Sequence, residues 1–387
     1  MKKKIAILGS TGSIGKTLVN IIKKDKKNFE IVLLTADKNY KELLKQAETF
    51  NTKNIILTNK DIFLKINKKK KLQKINVYNN FNIINKLFKK KIDYVMSSIS
   101  GLEGLNPTLK IIKHTKTIAI ANKEAIICGW NILNKELKKN NTKFIPVDSE
   151  HFSIFYALKD NLISNIENIY LTASGGPLLK LPLNKFKNVK ISDVLKHPTW
   201  KMGKKISIDS ATLMNKVFEI IEARKIFNIS YKKLKILIHP SSYVHTLLKF
   251  NDGMIKIIAH DTSMKIPIFN SLYYGQDFFL KTNNIDIKKL NNLSLETVNP
   301  KKYPLIKVLS KLPNSDSLFE TVLVATNDEF IKLYLSNKIK FNELSKKIYK
   351  FLNSNEFVKY KFIKPEKIET IEQLNKYVRF KINKLSV

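Results

Sequence analysis

Residues 5–15 read Ile5-Ala6-Ile7-Leu8-Gly9-Ser10-Thr11-Gly12-Ser13-Ile14-Gly15. Four apolar residues run into a glycine-spaced turn. A helical stretch, Thr17 to Lys24, and a second apolar run, Phe29 to Ala36, follow. Strand, glycine loop, helix and strand in that order open a dinucleotide-binding, doubly wound sheet. The spacing is G-x-x-G-x-x-G, not the commoner G-x-G-x-x-G. Alone it is a weak signal, and its place between a strand and a helix is what gives it weight.

Outward from this opening the alternation continues. Tyr40 to Phe50, Asp61 to Asn67, Ile83 to Phe88 and Leu105 to Lys113 read as helices. Asn54 to Leu57, Ile75 to Tyr78, Tyr94 to Ile99 and Thr117 to Ile120 read as strands between them. Helices and strands in turn predict a parallel sheet. Met96 to Gly104 forms a second small-residue loop at a strand's C-terminal end, where such sheets bind nucleotides.

From Lys143 the pattern changes. Phe144 to Val147, Ile166 to Thr172, Lys235 to Ile238, Val244 to Phe250 and Met254 to His260 read as strands of a second sheet, with Ala211 to Phe227 as its main helix. A polar stretch runs from Asp277 to Ser294, and helices then dominate: Ser317 to Leu335, Phe341 to Phe351 and Ile368 to Leu385. The expected fold class is α/β, with an N-terminal Rossmann-like doubly wound domain (1–147), a central α+β catalytic domain (148–276), a linker (277–304) and a C-terminal helical bundle (305–387).

Composition narrows the function. The net charge of +38 would ordinarily point to nucleic acid, but of the 70 basic residues only Arg224 and Arg379 are arginine, the side chain suited to bidentate base and phosphate readout. Lysines are spread along the whole chain, and runs such as Lys68–Lys71 and Lys89–Lys91 read as solvated faces or turns. No specific nucleic-acid partner is expected. No apolar run is long enough to span a membrane. Cys128, the only cysteine, excludes an internal disulfide framework, reads as a small buried residue and fits a reducing, cytoplasmic setting.

Three segments carry the chemistry: Val147-Asp148-Ser149-Glu150-His151, Ser174-Gly175-Gly176-Pro177, and His197 to Ala223. With a helix beginning near Ala211, Asn215 and Glu219 are an i, i+4 pair with Lys216 beside them, and Ser210 is an N-cap where free N–H groups favour an anion. Asp148 and Glu150, two residues apart after a strand, can point to one face. Three carboxylates beside a phosphate cradle suit a hard divalent cation and a phosphorylated substrate.

With Asn122-Lys123-Glu124 and His239-Pro240-Ser241-Ser242-Tyr243-Val244-His245, these segments resemble the 1-deoxy-D-xylulose 5-phosphate reductoisomerase family, closely to about residue 270 and beyond that by length. The resemblance implies an oxidoreductase of the non-mevalonate isoprenoid pathway that isomerises and reduces 1-deoxy-D-xylulose 5-phosphate to 2-C-methyl-D-erythritol 4-phosphate, with NADPH and Mg²⁺ or Mn²⁺, as a homodimer. Asp148, Glu150 and Glu219 would hold the metal. Ser149, Glu150, Ser174, His197, Ser210, Asn215, Lys216 and Glu219 would meet the substrate. Lys123 and Glu150 would be catalytic, Lys123 also touching substrate. Thr11, Gly12, Ser13, Ile14, Lys38, Asn39, Asn122, Glu124 and Gly203 would bind the cofactor. Trp200 and Met202 would form a lid that excludes water, while His239 and His245 would shape the site. One departure stands out: the family's Ala-Gly-Lys-Asn is Ala36-Asp37-Lys38-Asn39 here, which puts an acid where the NADPH 2′-phosphate approaches. A simple dehydrogenase or semialdehyde reductase fits less well, since the former needs no three-carboxylate site and Cys128 lacks a histidine arrangement for the latter.

Overall fold

The computed structural model describes residues 1–67, 74–159, 161–200 and 202–385. The run Lys68–Lys71, Lys201 within the expected lid, and the last two residues of the expected bundle lie outside the described residues.

Packing divides the chain into two compact units. The first comprises Met1–Ala125, Leu133–Phe152 and Met264–Lys281; the second comprises Ile126–Ile132, Ser153–Ser263 and Thr282–Val387.

The first unit is built on seven parallel strands, β1 (Lys3–Leu8), β2 (Phe29–Ala36), β3 (Asn54–Leu57), β4 (Asn76–Tyr78), β5 (Ile92–Ser97), β6 (Thr115–Ile120) and β7 (Lys143–Pro146), in the order β4-β3-β2-β1-β5-β6-β7. The order reverses at β1, so the glycine loop after β1 and the loop after β5 flank the switch point where such sheets bind ligands. Near-continuous apolar runs such as Ile5–Leu8 are buried because helices cover both faces of a parallel sheet. Ile5, Leu18, Ile22, Leu34 and Leu43 join one core with Ile268 and Leu272 of the helix Lys265–Leu272. Lys3 donates to the Leu272 carbonyl at 2.8 Å, and Tyr94 meets Ser271 at 2.8 Å.

Two sequence expectations change here. The segment Phe144 to Val147 belongs to the first sheet: β7 pairs in parallel with β6, Thr117 opposite Lys143 and Ile120 opposite Pro146. The helix expected from Thr17 opens at Ser13, with Gly12 as its N-cap. The turn is therefore confined to Gly9–Gly12. Gly9 has φ +81°, where a Cβ would press on the Ser98 carbonyl oxygen at 2.8 Å, and a Cβ on Gly15 would collide with the Gly9 carbonyl.

In the second unit, β8 (Ile166–Ala173), β9 (Leu234–Ile238), β10 (Val244–Phe250), β11 (Ile255–Ala259) and β12 (Glu296–Thr297) form a sheet in the order β11-β10-β8-β9-β12, with only β8 and β9 parallel. Ile169, Leu171 and Leu248 pack with Ile220, Ala223 and Phe227 of the helix Met214–Phe227. That helix is not the single one expected from Ala211. Lys204–Ala211 is a separate helix, and the chain breaks at Thr212-Leu213, where buried Leu213 adopts the left-handed conformation (φ 59°). Helices Phe319–Leu335, Phe341–Leu352 and Ile368–Leu385 form the bundle close to where the sequence put them. The stretch expected to be a linker contains a short helix, Ile287–Asn291, and β12. Among the described residues no helix is long and apolar enough to cross a membrane.

Candidate active site

In the first unit the functional side chains gather at the C-terminal ends of β6 and β7. Asn122 caps the helix Lys123–Lys139, its Oδ1 accepting the Ala125 N–H at 2.8 Å. Its amide donates to the carbonyls of Ile99 and, at 2.7 Å, Gly101. The side chain is thus a brace that fixes the second small-residue loop against the start of that helix, and Asn122 is buried. Lys123 leaves the helix's first turn and meets Asp148 Oδ2 at 2.8 Å.

The expectation that Asp148 and Glu150 face one way from an extended chain is replaced by a different geometry. The helix Ser149–Ala157 begins directly after Asp148, whose Oδ1 accepts the Ser149 N–H at 3.1 Å and whose carbonyl accepts the Phe152 N–H at 2.8 Å. Free N–H groups at a helix start favour a carboxylate. Ser149 Oγ donates to Glu150 at 2.6 Å, and oxygens of Asp148 and Glu150 approach within 4.8 Å of each other. Burial pushes the Asp148 carboxyl up. The Lys123 ammonium, and His151 at 3.6 Å, outweigh that and hold it well below the usual carboxylate range. It is therefore an ionised oxygen donor at neutral pH.

The first unit's cofactor candidates follow the C-terminal ends of strands of the same sheet. Thr11, Gly12, Ser13 and Ile14 occupy the β1 turn and the helix start. Lys38 is exposed just past β2, and Asn39 caps the helix Tyr40–Phe50 by accepting the Glu42 N–H at 3.3 Å. Asp37 accepts from Thr58 Oγ1 at 2.9 Å, which turns its carboxylate toward β3. Glu124 is half-buried in the first turn of its helix.

In the second unit, Ser174, His197 and Ser210 come together: His197 Nε2 lies 3.0 Å from Ser174 Oγ and 3.1 Å from Ser210 Oγ. Ser174 Oγ also accepts the Gly176 N–H at 3.0 Å. Gly176 (φ +71°) lies so close to Ser210 that a Cβ would come within 2.7 Å of its carbonyl oxygen. Burial lowers the His197 pKa to about 4. Ser210 is in the last turn of Lys204–Ala211, not at an N-cap as expected. The helix break instead starts a second helix with Asn215, Lys216 and Glu219 in its first turns. Asn215 donates to Glu219, and Lys216 forms a buried ion pair with it. Trp200 packs edge-on to His245 with ring centroids 6.1 Å apart. Met202 is half-buried and Gly203 is the exposed N-cap of Lys204–Ala211. His239 is tied to Ser241 at 2.9 Å and to the Ser294 carbonyl at 2.8 Å.

Sequence reasoning missed the support beneath this cluster. Asp209, buried next to Ser210, accepts from Asn327 at 2.7 Å and pairs with Lys205 at 3.3 Å. Lys205 also reaches Asp328, which Arg379 of the last helix holds at 2.7 Å. The available signal was an aspartate between Ile208 and Ser210 in a stretch otherwise rich in buried residues.

Comparison with known proteins agrees along the chain. Residues 5–129 match the family model for 1-deoxy-D-xylulose 5-phosphate reductoisomerase, and residues 144–227 and 261–381 match models of its C-terminal domains. The chain is 58% identical over 387 residues to the reductoisomerase of Pelagibacter ubique, covering 100% of both. It is 38% identical over 348 residues to that of Clostridium kluyveri, covering 89% of this chain and 90% of the relative. Among solved structures, the Zymomonas mobilis enzyme in complex with NADPH superposes with a TM-score of 0.88 at 27% identity, over 100% of this chain and 99% of that one. A reductoisomerase bound to NADPH, fosmidomycin and magnesium gives 0.90 at 28% identity, over 99% and 98%.

Proposed function

The chain belongs to the 1-deoxy-D-xylulose 5-phosphate reductoisomerase family, and from that premise we propose how its own residues divide the work. The activity is NADPH-dependent, divalent-metal-dependent conversion of 1-deoxy-D-xylulose 5-phosphate to 2-C-methyl-D-erythritol 4-phosphate. The observation that carries the residue assignment is the cluster of Ser174, His197 and Ser210, a cradle of hydroxyls and one imidazole shaped for a phosphate.

Asp148, Glu150 and Glu219 hold the cation. The donor set fits, since all three offer hard carboxylate oxygens, and Asp148 is held ionised by Lys123. Bound there, the cation polarises the substrate's ketone as a Lewis acid, and NADPH supplies the hydride. The β1 turn fits the cofactor because Gly9 and Gly15, where a Cβ would meet neighbouring backbone, let the chain turn tightly into the start of the helix Ser13–Lys23, whose free N–H groups favour a pyrophosphate. Thr11, Gly12, Ser13, Ile14, Asn122, Glu124 and Gly203 line the dinucleotide, with Lys38 and Asn39 toward its 2′-phosphate. Ser149 keeps Glu150 oriented. Lys123 meets the substrate and stabilises charge or carries a proton at its hydroxyls. Ser174, His197, Ser210, Asn215 and Lys216 grip the phosphate, while Trp200 and Met202 exclude water. Residues 1–147 carry the cofactor, 148–276 the metal and substrate, and 305–387 form the C-terminal helical domain.

The enzyme works as a cytoplasmic homodimer. Supporting the dimer, β11 is an edge strand whose Ile255 and Ile257, with the preceding Met254, are 55%, 47% and 67% exposed. An apolar edge of this kind invites pairing. The test of the activity is NADPH oxidation with 1-deoxy-D-xylulose 5-phosphate, with and without Mg²⁺, and identification of the product. Turnover to the branched polyol phosphate only with the cation supports the reading; cation-independent oxidation contradicts it.

A further inference from the structure

The loop after β8 holds two consecutive left-handed residues, Gly175 (φ +79°) and Gly176 (φ +71°), both buried. Glycines in this region leave the backbone wide freedom, so a peptide unit between two of them turns over readily. Here that unit is pinned at both ends. Tyr303 Oη donates to the Gly175 carbonyl at 2.7 Å, and the Gly176 N–H donates to Ser174 Oγ at 3.0 Å. The carbonyl and the N–H belong to one planar peptide, so fixing one direction fixes the other. We propose that Tyr303 is a positioning residue for the substrate phosphate: its hydroxyl sets the plane of the Gly175–Gly176 peptide and, through the Gly176 N–H, the place of the Ser174 hydroxyl. The proposal rests on Ser174 belonging to the phosphate site.

Tyr303 is itself firmly held. Its ring is buried in one core with Ala173, Leu213 and Ile238. Ala173 ends β8 just before Ser174, and Leu213 is the left-handed residue before the helix that carries Asn215 and Lys216. The ring thus shares a core with both of these segments of the phosphate site. Its backbone N–H donates to the Asn299 carbonyl at 3.0 Å. Asn299 follows β12, whose Glu296 lies opposite Ile238 of β9, and Ile238 in turn lies opposite Ala173. The preceding side chain acts on the same loop: Lys302 Nζ donates to the Leu179 carbonyl and, at 2.9 Å, to that of Leu181. Burial pushes the Tyr303 phenol up to about 12, so the hydroxyl keeps its proton and stays a donor at neutral pH.

The hydroxyl matters beyond the packing of the ring. With it removed, the buried Gly175 carbonyl loses its donor, and a buried carbonyl without one is costly. Turning the glycine peptide toward another partner costs little by comparison. That rotation carries the Gly176 N–H away from Ser174 Oγ, and the serine hydroxyl is no longer preset for an anion. The consequence falls on the grip of the phosphate and leaves the cofactor's binding untouched.

Tyr303→Phe deletes one oxygen and keeps the buried ring. It is made in the full chain and assayed with NADPH, Mg²⁺ and 1-deoxy-D-xylulose 5-phosphate, with inorganic phosphate as a competitor. The expected result is that the KM for the sugar phosphate and the inhibition constant for inorganic phosphate both rise about five- to tenfold, while the KM for NADPH is unchanged. In a Ser174→Ala background, Tyr303→Phe should add little further, because the two residues act in series. In the unsubstituted protein the Gly176 amide should be protected from hydrogen exchange. An unprotected Gly176 amide overturns the proposal. So does a KM for NADPH that rises as much as that for the sugar phosphate, or an equal effect of Tyr303→Phe with and without the Ser174 hydroxyl. A normal KM in Tyr303→Phe beside a raised KM in Ser174→Ala overturns the proposal and leaves the phosphate site standing. An unchanged KM in Ser174→Ala overturns the phosphate-site reading and the proposal with it.

Discussion

Asp37 shows how a single side chain is read differently once its partner is known. By position it is an acid where the 2′-phosphate of NADPH should approach, and such an acid often marks a preference for NADH. Its bond to Thr58 at 2.9 Å draws the carboxylate toward β3, leaving exposed Lys38 as the neighbouring cation. Asp37→Gly should lower the KM for NADPH by less than about tenfold, because an exposed charge interaction is worth about 1 kcal/mol or less. Parallel titrations with NADPH and NADH check this, and an effect on NADH as large as that on NADPH would show that the charge does not act on the phosphate. At this scale the sequence was most informative where residue identity alone sets the chemistry, as with the carboxylates and hydroxyls. It was least informative where a backbone partner decides the role. The threefold use of the Asn122 amide and the capture of His197 by its own turn leave no trace in composition or spacing.

Elements were legible where period and propensity agreed. Tyr40–Phe50, Asn54–Leu57 and Phe29–Ala36 fall where the pattern put them. The failures share a cause: tertiary packing overruled a local preference. Leu213 is a good helix former, yet it stands in the left-handed region between two helices, so the helix that seems continuous from Ala211 is cut and Ser210 loses its expected N-cap. Lys143–Pro146 is apolar enough for either sheet, and only its pairing with β6 decides. The helix Met214–Phe227, which carries Glu219, is anchored at its other end by charges. Lys225, with a side chain 1% exposed, pairs with Glu320 at 3.0 Å and Asp316 at 2.7 Å, and Arg224 reaches Asp316 at 3.1 Å. Burial pushes the Asp316 carboxyl up, but Lys225 and Arg224 outweigh it and hold the pKa below its ordinary value. A depressed carboxylate contributes stability above its unfolded pKa of about 4, and that contribution is lost as pH falls through the folded value. Lys225→Met should therefore destabilise the fold by about 3 kcal/mol at pH 7, since it strands buried carboxylates. The gap from the unsubstituted protein should narrow on acidification below about pH 4. Urea unfolding at both pH values reads this, and a gap that widens in acid would contradict the assignment.

At the scale of the molecule, the alternation of helices and strands gave the doubly wound sheet, and the run of late helices gave the bundle. What sequence could not supply was how separate segments share a body. The helix Lys265–Leu272 packs into the core of the first sheet although the segments before Met264 and after Lys281 belong to the second unit, and no local signal marks that return. The exposed Ile255 and Ile257 on the edge strand are the molecule-scale feature with a consequence in solution. Ile257→Lys places a charge on that edge and should convert the proposed dimer to monomer in sedimentation or light scattering with the fold retained. A mass that is the same in both proteins would contradict the proposed dimer contact at this edge. The central claim is that the carboxylates hold a cation the reaction needs, and the most direct measurement is the turnover of Glu219→Gln with NADPH and 1-deoxy-D-xylulose 5-phosphate in saturating Mg²⁺. The predicted result is a kcat lower by orders of magnitude in a protein that still folds and still binds NADPH; near-normal turnover would contradict the claim.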